Sequence, residues 1–248
     1  MYWRGPESRT APQLFISRSG SMEPMWIRSE WPPAGYSTRL PRCDWFLPPG
    51  VADRAPILAG VKRGILGGTF DPPHIAHLIA GETAYRQLDL DEVLFVPAGY
   101  PWQKAHAEVS AAEHRWEMTK LSIEHVPYFA ADDVEIQREG STYTVDTVEG
   151  FEDDELVLVL GADAALGFRS WHRWEALLER VELAVAPRPG VGRHEVEHAV
   201  PKPIVWLDMA PLDMSATDVR ERARKGLSIR FYVRDKVWRY IQEHEVYG

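Results

Sequence analysis

From Lys62 onward, short apolar runs alternate with stretches in which apolar residues recur at spacings of three and four. The runs predict strands at Arg63–Leu66, Glu92–Pro97, Tyr128–Ile136, Glu155–Leu160, Glu182–Ala186 and Ile204–Asp208. The amphipathic stretches predict helices at Ile75–Gln87, Ala111–Glu124, Trp171–Arg180, Ser215–Lys225 and Arg234–Glu243. Short apolar runs alternating with amphipathic stretches are the signature of a parallel α/β sheet, and residues 61–248 suit one such domain.

Residues 1–60 carry no such pattern. They hold 9 of the 19 prolines and 4 of the 10 tryptophans, with neither helical nor strand periodicity across the proline breaks. A disordered leader is predicted. A docking or regulatory arm built on Trp3, Trp26, Trp31 and Trp45 is the alternative, as is a natural start nearer Val51 or Val61.

Composition narrows the function classes. A chain of 248 residues, 45% hydrophobic and 26% charged, has the balance of a soluble globular protein. With a formal net charge of -9 it offers no general attraction to nucleic acid or to an anionic membrane, so neither partner is expected and an anionic ligand must be held locally. No run of about 18 apolar residues and no secretory start occurs, and the single cysteine, Cys43, belongs to no zinc-spaced cluster. A cytoplasmic location is expected; a homo-oligomer is left open.

The segment Gly67-Gly68-Thr69-Phe70-Asp71-Pro72-Pro73-His74-Ile75-Ala76-His77-Leu78 joins the first strand to the first helix. In an open parallel sheet, ligands bind beyond the carboxyl ends of the strands, where helix N-termini offer N–H donors to phosphate. Gly67 and Gly68 allow a close backbone approach, Asp71 and Pro72 suit a helix start, and His74 and His77, three apart on one helix face, can reach one group of phosphate oxygens. Near the other end, Met214-Ser215-Ala216-Thr217-Asp218-Val219-Arg220 opens a second helix; Ser215 and Asp218 have the form of a capping box, and Arg220 can bond two phosphate oxygens at once.

The first segment resembles the HxGH signature of the nucleotidyltransferase superfamily, with Ala76 in place of its glycine, and the second resembles that superfamily's ISSTxxR signature, with Ala216 in place of a serine. Between them, Pro101-Trp102-Gln103-Lys104, Ser141-Thr142-Tyr143-Thr144-Val145-Asp146-Thr147, Gly161-Ala162-Asp163, Trp171-His172-Arg173-Trp174 and Arg188-Pro189-Gly190 are similar to the bacterial nicotinate-nucleotide adenylyltransferases.

The resemblance implies a Rossmann-like, doubly wound, mainly parallel α/β domain that transfers the adenylyl group of ATP to nicotinate mononucleotide, with Mg²⁺ bridging the ATP phosphates. It assigns His74, His77, Lys104 and Arg220 to catalysis. Gly67, Gly68, Thr69, Phe70, His74, His77, Asp163, Arg188, Ser215, Thr217 and Arg220 are assigned to ATP, and Thr142, Tyr143, Trp171 and Lys104 to the pyridine nucleotide. Nicotinamide mononucleotide or phosphopantetheine adenylyltransferases are the nearest alternatives. A nucleotide-binding regulatory protein with weak catalysis is the alternative from another class, suggested by Ala76 and Ala216.

Five residues or segments carry plainer readings. Trp174 is expected to pack its helix against the sheet, and His106 and His114 to lie on the surface. The connection from Thr147 to Glu155 has room only for a brief helix, and His194-Glu195-Val196-Glu197-His198, although it matches a zinc-protease pattern, lacks a third ligand and is read as a solvated loop or short exposed helix.

Overall fold

The computed structural model describes residues 60–100 and 109–248. Six parallel strands form one sheet: β1 (Lys62–Gly68), β2 (Glu92–Pro97), β3 (Phe129–Ala131), β4 (Glu155–Gly161), β5 (Val181–Ala186) and β6 (Ile204–Trp206). Their spatial order is β3-β2-β1-β4-β5-β6, so the chain leaves β1 towards one edge and returns through β4 towards the other. The crevice at that reversal, between β1 and β4, is where an open parallel sheet binds ligands.

Alternate residues of the central strands feed two cores. Ile65, Leu94, Leu158 and Val185 face α4 (Thr144–Val148), α5 (Ala162–Leu166), α6 (Trp174–Arg180) and α7 (Arg193–Ala199). Leu66, Phe95, Val157 and Ala184 pack with α1 (Ile75–Gln87) through Ala80 and Ala84. A smaller core joins α2 (Ala112–Ile123) to α8 (Ala216–Arg224) and α9 (Asp235–Glu243) through Met118, Val219, Val237 and Ile241. Burial on both faces explains why the strands are nearly uninterrupted in apolar residues.

The expected α/β architecture is observed, with local differences. The run Tyr128–Ile136 is a strand only over Phe129–Ala131; Asp132 Oδ1 accepts the Val134 N–H at 2.9 Å and turns the chain into the short helix α3 (Val134–Gln137). The helix predicted from Trp171 starts at Trp174, because a 3-10 turn at Phe168–Ser170 precedes it and Arg173 takes a left-handed conformation (φ 50°). His74 is the N-cap of α1 rather than a residue within it, so the helix begins three residues beyond Pro72. The brief helix in the middle connection is α4, ending at Val148 rather than filling the stretch to Glu155. Trp174 packs on the core as expected. His114 is half-buried rather than on the surface, since Tyr240 lies 2.9 Å from its Nδ1. Residues 1–59 of the expected leader, Lys104 and His106 lie outside the described residues.

Two fully buried arginines fix the two ends of the sheet. At its N-terminal edge Arg63 pairs with Asp154 and, through Nε at 2.6 Å, with Glu92. At its C-terminal edge Arg115 of α2 donates to the backbone carbonyls of Thr69, Ala98, Gly99 and Ser110, tying the loops after β1 and β2 together.

Candidate active site

A cleft of about 580 Å³ opens beyond the carboxyl ends of β1, β4 and β5. Gly67, Gly68, Thr69, Phe70, His74, His77, Thr142, Tyr143, Asp163, Trp171, Arg188, Ser215 and Thr217 all line it, so residues separated by most of the chain share one cavity. Ala76 and Ala216, the two departures from the superfamily signatures, line it as well.

The histidines meet by way of the helix cap. With His74 extended (φ -129°, ψ 169°), its backbone N–H donates to His77 Nδ1 at 3.1 Å, and the two rings stack with centroids 3.7 Å apart. Accepting at Nδ1 places the proton of a neutral His77 on Nε2. Phe70 (φ 49°), buried with Phe95, supports His77 edge-on at 5.1 Å. Its ring is therefore a floor, and what it offers a nucleotide is chiefly backbone. His74 is buried, and its Nδ1 has no hydrogen-bond partner of ordinary geometry among the described residues. Burial, reinforced by the charge of Arg188, lowers its pKa from 6.5 to about 4. His74 is thus a neutral imidazole with an unsatisfied polar atom beside the cleft, which an arriving phosphate can satisfy.

The second helix start has the expected capping box. Ser215 Oγ accepts the Asp218 N–H at 3.1 Å and donates to Asp218 Oδ2 at 2.5 Å, so its proton is already committed. Arg220 points back across the fold: Nη1 donates to the Asp71 carbonyl oxygen at 2.7 Å and Nη2 to Thr217 Oγ1 at 3.2 Å. The guanidinium of Arg188 donates to the carbonyl of Met214, and its Nε lies 3.8 Å from Asp163 Oδ1. Arg188 therefore anchors the loop before α8 as well as bringing positive charge to the cleft.

At the other end of the cleft, Tyr143 stacks on His172 with centroids 4.2 Å apart, and Trp171 lies against Phe168. Trp171 does not open a helix, and its own N–H is used on the Phe168 carbonyl at 3.0 Å. Donors supplied directly by a helix start at that position are therefore absent. Glu135 is a residue that sequence reasoning missed, since the segment read as strand. Its buried carboxyl lines the cleft, accepts from Thr147 Oγ1 at 2.9 Å and faces Thr142; burial holds it above the usual carboxylate range.

Among the described residues, no group of three or more His, Cys, Asp or Glu is placed to hold a metal ion. The pair His194 and His198 sits on the short helix α7, rings 5.7 Å apart. No helix among those residues is long and apolar enough to cross a membrane.

A parallel sheet with a histidine pair at one strand-to-helix junction and a capped, arginine-bearing helix start facing it defines a nucleotidyltransferase, and residues 65–222 match the cytidylyltransferase-like family. The chain is 36% identical over 201 residues to a probable nicotinate-nucleotide adenylyltransferase of Dehalococcoides mccartyi, covering 77% of this chain and 98% of that one. Its identity to the protein of the same name from Bordetella petrii is 39% over 195 residues, covering 75% of this chain and all of that one (100%). The chain belongs to the nicotinate-nucleotide adenylyltransferase family and is an enzyme of the nucleotidyltransferase class. A Plasmodium falciparum nicotinic acid mononucleotide adenylyltransferase solved with NaAD has the same fold, at a TM-score of 0.64, with 19% identity and coverage of 75% of this chain and 97% of that one.

Proposed function

We propose that the cleft brings ATP and nicotinate mononucleotide together for in-line adenylyl transfer, in the cytoplasm. An oxygen of the mononucleotide phosphate attacks the α-phosphorus, the bond to the β-phosphate oxygen breaks, and pyrophosphate leaves. The nucleophile is already an anion, so the protein supplies alignment and charge stabilisation rather than a base. His74 and His77 meet the phosphates at the start of α1, Arg220, Arg188 and the start of α8 take the outer phosphates, and Asp163 accepts from the ribose hydroxyls. Thr142, Tyr143 and Trp171 enclose the pyridine. Lys104, which the resemblance assigns to phosphate, lies outside the described residues.

The observation that carries this reading is the buried, unpartnered Nδ1 of His74 stacked on His77 at the mouth of the crevice. Among the described residues no group of three or more His, Cys, Asp or Glu could hold a metal ion, so a magnesium ion would arrive with ATP and would supply charge neutralisation. Residues 1–60 are proposed to be dispensable, since 98% of the Dehalococcoides relative is matched within 77% of this chain.

The names of the relatives favour nicotinate over nicotinamide mononucleotide, and the Thr142 hydroxyl in the cleft can donate to a carboxylate. Exchanging carboxylate for amide changes one hydrogen-bonding group, a difference worth roughly 1–3 kcal/mol, or about tenfold to a hundredfold in kcat/KM. Pyrophosphate release measured with each mononucleotide tests this, and Thr142→Val should narrow the ratio. Equal use of both substrates by the unmodified enzyme overturns the assignment. ATP binding without any pyrophosphate release would instead support the regulatory alternative.

A further inference from the structure

Asp71, from the loop before α1, is buried, and its carboxylate is satisfied without Arg220. Oδ1 accepts the Tyr247 hydroxyl at 2.9 Å, and Oδ2 accepts the Ser110 N–H at 3.1 Å while standing 3.8 Å from Arg220 Nη1. Tyr247 lies beyond α9 and is buried too; besides Asp71 its hydroxyl faces the Ser110 side chain and Met118 Sδ at 3.8 Å, the latter a weak acceptor beside a carboxylate. Burial next to Asp71 raises the phenol well above its usual range, so it remains a donor at any working pH.

Two cations lie near this carboxylate. Arg115 is committed to four backbone carbonyls, whereas Arg220 bonds one carbonyl and one hydroxyl and keeps donors to spare. A buried carboxylate left one bond short would turn towards Arg220, replacing the 3.8 Å approach with a charge-assisted bond. That bond would draw the guanidinium away from phosphate.

We propose that Tyr247 is a positioning residue for ATP: its hydroxyl occupies Asp71 Oδ1, keeps that carboxylate off Arg220, and so leaves the guanidinium to bind phosphate. The inference rests on the reading of Arg220 as a phosphate ligand. Tyr247→Phe removes only the hydroxyl. It should raise the KM for ATP and weaken inhibition by pyrophosphate in the same proportion, roughly three- to tenfold. The turnover number and the KM for the mononucleotide should stay within about twofold.

In an Asp71→Asn background, which has no carboxylate charge to capture Arg220, Tyr247→Phe should add nothing. The proposal is overturned if Tyr247→Phe leaves ATP and pyrophosphate unaffected, if the loss is as large in the Asp71→Asn background, or if all kinetic constants worsen together. Should Asp71→Asn not fold, calorimetric titration of Tyr247→Phe with pyrophosphate decides. Arg220→Ala separates the two levels. An unchanged KM for ATP there removes the phosphate role of Arg220 and this proposal with it; a raised KM, with Tyr247→Phe silent, removes this proposal alone.

Discussion

Arg63 and Arg115 are both buried at the sheet, one at each end, and their charges are met in opposite ways. Arg63 is closed on two carboxylates, Asp154 and Glu92, with Phe151 beneath the guanidinium at 4.7 Å. Asp154 also accepts the Gly60 and Val61 N–H groups at 2.7 and 3.2 Å. Arg115 bonds only carbonyl dipoles, and its nearby carboxylate, Asp71, is hydrogen-bonded elsewhere. The end that has no ligand to bind is neutralised locally. At the end that carries the cleft, backbone carbonyls hold the cation and the nearby carboxylate makes no hydrogen bond to it.

Replacing each arginine by methionine is the strongest way to break this comparison. Arg63→Met leaves Asp154 and Glu92 uncompensated and should cost about 3–5 kcal/mol in urea unfolding, with kcat/KM per folded molecule retained. Arg115→Met should lose comparable stability and also raise the KM for ATP, since the loops after β1 and β2 lose their shared anchor. A change in ATP affinity in Arg63→Met, or none in Arg115→Met, would erase the distinction between the ends.

Next in size, His74→Ala and His77→Ala should each lower turnover by about 10²–10³ while moving KM less, because donors aimed at developing charge act mainly in the transition state. Turnover within a few-fold of the parent would leave the ligand end without its central feature.

The smallest effect concerns pH. A histidine whose pKa is lowered from 6.5 to about 4 favours the folded state when neutral, so its contribution is complete above pH 6.5 and is lost as pH falls towards 4. The whole change is worth about 3 kcal/mol. His74→Gln should flatten the stability profile across that window; an unchanged slope would show that burial of His74 is not what the acid limb reports.

How much of this was legible in the sequence depended on whether local pattern or distant contact decided the outcome. The strands β1, β2, β4 and β5 were readable because long buried runs leave little choice, and the span of α1 because its periodicity is undisturbed. The β3 region misled because Asp132 turns the chain after only three strand residues, and that hid Glu135. His74 and His77 were recognised as a pair, but their stacking depends on His74 leaving the helix to cap it. The sequence marks Arg220 as a candidate phosphate ligand, yet its bonds to Asp71 and Thr217 combine a distant partner with a local one, and only the local one has a sequence signature. Trp171 was placed at a helix start because the positive φ of Arg173 leaves no mark in composition.

The bond from Arg220 to Asp71 spans 149 positions and that from Tyr247 to Asp71 spans 176. Closing loops of that length is entropically slow, and neither closure can occur until α8 and α9 have been synthesised. During translation the histidine segment therefore emerges long before the groups that secure it, and a ribosome-bound chain halted before α8 should have most of the sheet but no assembled nucleotide site. Activity is thereby tied to near-completion of synthesis: truncated fragments would expose the apolar face of α2 around Met118 to proteolysis and chaperones while consuming no ATP.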